Sequence, residues 1–579
     1  MPSADVSKQV QKKKSAPQKP PVQSSALKLA KQIAWPALLL CLGFAIYIPS
    51  LKFGFILDDH RFTGDPRIQE SGHLFDYFTN YVWAQFTGGP PSFYRPVFVL
   101  WLRLNFLLSE LSPWGWHLLS ITKHLLVAIA LWLLMYRLLG DRVAAFAAAA
   151  LFVLHPSHTE SVSWVTVPDP LLTIGLLLAL LFYLRYVENP PAAAENPARK
   201  LRKSEERKAP ASSGKWLLAS AMAYPAALLA KETAIVFPVV ILVLVFASEG
   251  SQVAVQDRSR KGRTEVRRKA FGPVVLFAVV SLIYLLIRWS VLDGRLAPAT
   301  QHLPWSTVVL SWPATLWFYV KAMLWPVRSY SFADPILIES FSIPGVLLPL
   351  LVMLLCAGAL TAFCVWAWRT AGNQLTESEA AKVVFGLIAG ALLLVLPLLP
   401  TLNLNALNPG DFLHGRYVYL PLAGLSMLVA IGVHLAKRLR LALLCAAGAL
   451  AIAFVPLTWS QEKQWKDDSS VFTTGHELAP NNRPVARNLA DTRVRAALLI
   501  ADDGRCNEAM PVFDEVNREY PDDWYTWAGR GICFVQSNDL VKAEAALHRA
   551  ADLSHDPAVV QQWQALRSQM GLSTSPLTN

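Results

Sequence analysis

Charge and cysteine are both scarce in this chain, and each shortage narrows what it can be. Asp, Glu, Lys and Arg make up 16% of the 579 residues, against 54% hydrophobic. That balance lies outside the range of soluble domains and implies a polytopic membrane protein in contact with a lipid bilayer. The six cysteines follow no C-x-x-C or zinc-like spacing. Cys41, Cys356, Cys364 and Cys445 fall inside apolar segments, which leaves only Cys506 and Cys533 placed to pair. The formal charge of +12 is not accompanied by an aromatic-lined basic surface. Its cations gather in a few loops and in the Lys-rich start, so they read as cytoplasmic anchors and imply no nucleic-acid partner. No A-x-A-like site follows the first apolar run, so residues 1–32 are expected to form a disordered basic cytoplasmic arm rather than a cleaved signal.

What is present is a long series of apolar segments over 33–460. Hydropathy predicts about eleven spanning helices, at 33–51, 116–138, 143–162, 171–187, 216–229, 233–246, 273–291, 346–368, 383–399, 417–436 and 441–459. Counting Lys and Arg puts the basic runs at 199–208 and 258–269 inside. It puts 155–163, Lys231-Glu232 and the acidic pair Asp58-Asp59 outside, the N-terminus in the cytoplasm and the C-terminus outside. The segment 306–326 is apolar but interrupted by Pro313 and Lys321. If it crossed, the basic run 436–440 would face outward, so a re-entrant or interfacial hairpin is expected. Residues 51–113 form the first outer loop, whose stretch 98–111, interrupted by Arg103, is expected to lie along the interface.

From 461 to 579 the composition becomes that of a small soluble helical domain on the outer side. A period of about 34 residues fits a tetratricopeptide-like pattern, with Trp527, Gly531, Phe534, Ala543, Leu547 and Ala550 where small and large residues interlock two helices. One repeat upstream, Ala509, Phe513 and Pro521 hold the matching places. Cys506 and Cys533 would then occupy neighbouring helix ends, where a disulfide requires a compartment outside the cytoplasm.

The candidate chemistry starts with Asp58 and Asp59, which follow Phe53-Gly-Phe-Ile-Leu at a membrane exit. One reading is an acidic loop that caps a helix. The other is a general base, since like charges and partial desolvation perturb one carboxylate of such a pair. His155, His158 and Glu160 form H-x-x-H-x-E. His155 and His158 share a face if helical and could ligate a divalent metal, but Pro156 argues for a helix end and no third ligand is evident. The alternative is that they line a pocket or hydrogen-bond near Asp58.

The ordered series from Gly54 to His60, Asp65-Pro-Arg-Ile, Tyr94-Arg-Pro, His117 with His124, His155 to Trp164, Ala230-Lys-Glu and Gly415 to Pro421 resembles the TMTC-type protein O-mannosyltransferases. Those are members of the GT-C glycosyltransferases and carry tetratricopeptide repeats after the membrane domain. The resemblance covers roughly 51–557 and departs from the family at Val167-Pro168, where Gly-Arg is usual, and in having fewer repeats.

It implies an all-α GT-C membrane glycosyltransferase that moves a hexose, with mannose favoured, from a polyprenyl-phosphate carrier to protein Ser or Thr hydroxyls. The implied displacement is inverting, with Asp58 as base and Asp59 positioning or replacing it. The phosphate would be met by Arg416, Arg95, Lys231 and Arg288. His60, His155, His158, Glu160, Asp169, Glu232 and Tyr417 would surround the pocket, and the repeats would hold acceptor proteins. No cofactor beyond the lipid-linked donor is required, although a divalent metal could assist. A bacterial inner membrane with a periplasmic tail, or an endoplasmic-reticulum membrane with a lumenal one, suits the topology. The rival readings are the same fold acting on a glycan or lipid acceptor, and a non-catalytic anchor that displays the repeats.

Overall fold

The structure, a computed structural model, describes residues 25–85, 92–189, 214–252, 260–295, 302–407 and 413–572. Of the arm expected over 1–32, residues 1–24 lie outside the described residues and 25–32 are instead the start of a helix; the basic run at 199–208 and the start of the run at 258–269 also lie outside the described residues. Among the described residues every regular element is a helix. In chain order these are α1 (Ser25–Tyr47), α2 (Asp59–Thr63), α3 (Pro66–Gln69), α4 (Asp76–Thr79), α5 (Pro96–Ser109), α6 (Pro113–Leu139), α7 (Arg142–Val153), α8 (Thr159–Ser163), α9 (Asp169–Glu188), α10 (Gly214–Ala230), α11 (Phe237–Gln252) and α12 (Arg260–Val291). There follow α13 (Trp305–Leu324), α14 (Leu348–Gln374), α15 (Glu377–Val395), α16 (Tyr419–Leu435) and α17 (Arg440–Glu462). The tail comprises α18 (Asp468–Leu478), α19 (Arg483–Asp502), α20 (Cys506–Glu519), α21 (Trp524–Gln536), α22 (Leu540–Ser554) and α23 (Pro557–Gln569).

Eight helical segments among the described residues are long and apolar enough to cross a bilayer: Ile33–Lys52, Pro113–Leu139, Asp169–Glu188, Phe271–Val291, Ile343–Gln374, Glu377–Leu402, Gly415–Leu435 and Arg440–Trp465. The chain is a multi-pass membrane protein. The other three expected crossings are shorter helices among the described residues. At 143–162, α7 stops after 12 residues, about 18 Å of rise against a hydrocarbon core of about 30 Å. The cause is local: His155 precedes Pro156 and takes an extended conformation, as a residue before proline prefers. At 216–229 the helix α10 has 17 residues. The segment at 233–246 opens with a 3-10 turn, Glu232–Val236, before α11.

The hairpin expected over 306–326 is also corrected. The segment is one 20-residue helix, α13, that carries Pro313 in its interior. It contains no Gly, Asn or Asp able to reverse the chain, so the apolar stretch runs on as helix through the proline.

Small residues set the packing of the bundle. A Cβ on Gly175 of α9 would come within 2.6 Å of the Ala227 Cβ on α10, and one on Gly424 of α16 within 2.6 Å of the Gly390 carbonyl on α15. Close approach of this kind is how membrane helices gain contact area where hydrophobicity cannot drive association. In contrast, only 11% of the most apolar window of Ile343–Gln374 is buried inside the protein, the surface expected of a helix that faces lipid.

The loop between the first two spans is stapled by Arg67, which is 1% exposed. Its Nη2 donates to Asp65 Oδ2 at 2.7 Å and its Nη1 to the Tyr81 carbonyl at 3.1 Å. Asp65 in turn accepts from the Arg67 backbone N at 2.9 Å and so caps α3. Asp65-Pro-Arg-Ile is thus an internal ion pair that shapes the loop. Replacing Arg67 with Met is expected to leave Asp65 buried without its partner and to cost about 3–5 kcal/mol. The loss should be read as a lowered unfolding midpoint of the detergent-solubilised chain.

In the tail, α18, α19, α21, α22 and α23 are each capped by an Asp or Asn side chain: Asp467, Asn482, Asp523, Asp539 and Asp556. Each satisfies a backbone N–H that the first turn leaves without a partner. Helix α20 has no such cap. Its first residue, Cys506, is instead joined by a disulfide to Cys533 of α21, with a Cα–Cα distance of 5.4 Å.

Candidate active site

The two adjacent aspartates point in different directions. Asp59 is 0% exposed. Its Oδ1 accepts from the Thr166 hydroxyl at 2.7 Å and the Thr166 backbone N at 3.3 Å, and its Oδ2 from the Ile56 backbone N at 3.2 Å. Burial raises its pKa to about 7 in spite of these donors. That value would suit a general base, but a base must first reach the proton it removes. Asp59 is sealed behind Thr166 and acts as an anchor for the segment 164–168. The same segment is gripped by Lys123 of α6, whose Nζ donates to the Val165 and Val167 carbonyls at 3.2 Å each.

Asp58 occupies the N-cap position of α2 but makes no side-chain cap, so it is not the helix cap of the plainer reading. It lines a cavity of about 310 Å³ together with Glu160, Trp164 and His414 from the membrane domain, and with Phe472, Asn482, Val485 and Asn488 from the tail. A larger cleft of about 510 Å³, between 327–329 and the start of the tail, is lined by hydroxyls, amides, Arg328 and Lys463. No carboxylate lines it, whereas Asp58 and Glu160 both line the 310 Å³ cavity.

Glu160, 1% exposed, is the second acid of this cavity. Its Oε2 accepts from the Arg416 backbone N at 3.0 Å. Its Oε1 lies 3.2 Å from His414 Nδ1 and 3.4 Å from Arg416 Nη1, the latter close enough for charge attraction. The Arg416 guanidinium lies over the Trp164 ring at 4.7 Å and beside Tyr417 at 5.6 Å. Lys231 Nζ lies 5.0 Å from the centre of the same Tyr417 ring, so Tyr417 stands between Arg416 and Lys231.

The remaining cations continue away from the cavity. Lys231 donates to both oxygens of Asp169 at 2.7 Å. Arg95 forks onto Glu232 at 2.9 and 2.6 Å, and Arg288 reaches the same carboxylate at 3.6 Å. Lys231 lies within electrostatic reach of both Arg95 and Arg416, and each of the three has a carboxylate beside it.

The histidines are distributed differently. His60 is held by Asp468 of the tail, 3.0 Å from its Nε2, and this carboxylate raises the His60 pKa. His155 places Nε2 against the Met323 carbonyl at 3.0 Å and accepts from Ser157 N through Nδ1. His158 packs among Phe152, Tyr419 and His124, with centroid distances of 4.4, 4.4 and 5.2 Å. His124 contacts the Tyr419 hydroxyl at 2.6 Å, and His117 the Gly54 carbonyl at 3.3 Å. His155 and His158 therefore belong to the packing of the bundle. Among the described residues no group of three or more His, Cys, Asp and Glu could hold a metal ion.

Sequence reasoning missed Lys123, Trp164, Thr166, His414 and Asp468. Lys123 carried a signal, as a charge inside an apolar span, and Trp164 closed the motif that begins at His155.

Residues 70–294 match the family model described as dolichyl-phosphate-mannose-protein mannosyltransferase. The protein O-mannosyl-transferase Tmtc1 of Drosophila melanogaster is 26% identical over 533 residues, covering 79% of this chain and 59% of the relative. The mouse protein O-mannosyl-transferase TMTC3 is 24% identical over 530 residues, covering 88% of this chain and 54% of the relative. The chain thus spans little more than half the length of these relatives. A solved structure with a distant likeness is the oligosaccharyltransferase AglB of Archaeoglobus fulgidus in complex with an inhibitory peptide and a dolichol-phosphate. It has a TM-score of 0.39 and 13% identity, over 80% of this chain and 60% of that one. Over 70–294 the chain thus matches a protein-mannosyltransferase family model, and along most of its length it is similar to the TMTC protein O-mannosyl-transferases.

Proposed function

We propose that this chain is a GT-C glycosyltransferase that moves a hexose, mannose in the first instance, from a polyprenyl-phosphate carrier to Ser or Thr hydroxyls of proteins on the outer face of the membrane. The observation that carries the reading is the division of labour between the adjacent carboxylates. Asp59 is spent on the loop, and Asp58 alone of the two lines the cavity.

In the proposed step the acceptor oxygen attacks the anomeric carbon of the sugar as its proton passes to the Asp58 carboxylate. The bond from that carbon to the phosphate oxygen breaks on the opposite side, which inverts the configuration and releases polyprenyl phosphate. Charge grows on the leaving phosphate and is met by the cations nearest the cavity, Arg416 first and then Lys231, with Arg95 and Arg288 behind them. Glu160 fixes Arg416 through its backbone and side chain, and Trp164 lies under the Arg416 guanidinium at the cavity wall. The disulfide in the tail supports an oxidising compartment, periplasm or endoplasmic-reticulum lumen, for that side.

The test is transfer from labelled polyprenyl-phosphate mannose and polyprenyl-phosphate glucose to Ser/Thr peptides and to their Ala counterparts, in membranes that carry the chain. Wild type should label the Ser/Thr peptides from the mannose donor. Arg416→Ala should lower kcat about 10²-fold, the scale of losing one charge-stabilising donor. Label found only in glycan or lipid, or no label from any polyprenyl-phosphate donor, would overturn the reading.

A further inference from the structure

The backbone immediately before Asp58 is held by the tail. Leu57 has a φ of +51°, the left-handed region that an L-residue with a bulky side chain enters only against a steric cost. Its N–H donates to Asp468 Oδ1 at 2.8 Å, across 411 positions of sequence. The other oxygen of Asp468 lies 3.0 Å from His60 Nε2. Gly54 N donates to the Lys466 carbonyl at 3.0 Å, which fastens the same segment one turn earlier. Asp468 is available for this contact because its neighbour Asp467 supplies the cap of α18, accepting from Ser470 N at 2.8 Å.

We infer that Asp468 is a positioning residue for Asp58, so that the first helix of the tail sets the direction of the base. The inference rests on the function proposed above for Asp58. Asp58 sits between two fixed neighbours: Leu57, tied to Asp468, and Asp59, tied to Thr166 and Ile56. Its side chain therefore has its direction imposed from both sides. One of the two anchors comes from a domain whose expected work is holding acceptors. Without Asp468, Leu57 is free to relax to negative φ, which would turn the Asp58 Cα–Cβ bond away from the cavity. Displacements of about 1 Å at a reacting group already cost about 10²-fold in rate.

The inference is tested on the full chain in detergent with Asp468→Ala and Asp468→Asn, and with Asp58→Asn as the control. Asp468→Ala should lower kcat for a short Ser/Thr peptide by about tenfold or more, with KM for peptide and lipid donor within about twofold. Asp468→Asn keeps an oxygen for Leu57 N–H and should recover most of the rate. Backbone hydrogen exchange of the peptide covering 53–62 should accelerate in Asp468→Ala and much less in Asp468→Asn. Full kcat in Asp468→Ala, a loss confined to KM, or equal losses in both variants overturns the inference while an inactive Asp58→Asn leaves the proposed function standing. If wild type transfers no sugar, the proposed function fails, and unchanged exchange at 53–62 in Asp468→Ala separately overturns the positioning.

Discussion

Asp58→Asn is expected to remove transfer while leaving the protein folded. Loss of a positioned general base lowers kcat by about 10²–10⁴-fold, and nothing in the fold is built on this side chain as a helix cap. The amide is nearly isosteric and keeps the cavity wall, so KM for the lipid donor should stay close to that of wild type. The variant should still unfold in a cooperative transition, as wild type does. The decisive measurement is single-turnover transfer from labelled polyprenyl-phosphate mannose, where a loss below about tenfold would assign the proton to another group.

Asp59→Ala should show the opposite pattern, with the damage in stability. Three buried donors, Ile56 N, Thr166 N and the Thr166 hydroxyl, lose their acceptor together. Each buried group left unpaired costs about 1–3 kcal/mol, and the combined loss is expected at about 3–5 kcal/mol. Asp59→Asn should fall between, because its one oxygen can serve only part of this set. The contribution also depends on pH. Burial raises the carboxyl from an ordinary 3.8 to about 7 in the folded chain. The stability it adds is therefore complete below the unfolded value and is lost as pH rises through about 7. Unfolding midpoints of wild type and Asp59→Ala, measured from about pH 5 to about pH 8, should converge toward the upper end. A gap that widens with pH would mean that Asp59 serves the fold as an ionised group.

These two outcomes mark where the sequence was legible and where it was not. The eight long spans could be read because hydropathy is a property of contiguous residues, and so could the change of character near residue 461. The break in the segment 143–162 was written in His155-Pro156, yet the hydrophobic average ran over it. The division between Asp58 and Asp59 had no local signature. It is made by Thr166, 107 positions away, and by a segment that Lys123 holds from another helix. The pairing of Asp65 with Arg67 was visible as a motif but not as a buried staple, because burial depends on Tyr81 and Val82 folding over it. Arg95, Lys231, Arg288 and Arg416 were identified as cations, while the carboxylates that accompany them come from elements distant in the chain.

The contact between Leu57 and Asp468 also sets an order of events in biosynthesis. The loop that carries Asp58 leaves the ribosome early, and its anchor follows 411 residues later. At about 5–20 residues per second the interval is about 20–80 s. Throughout that time the loop is made but the residue that ties down Leu57 is not. On the positioning inferred for Asp468, a nascent or truncated chain would transfer slowly until the tail that carries this anchor is complete.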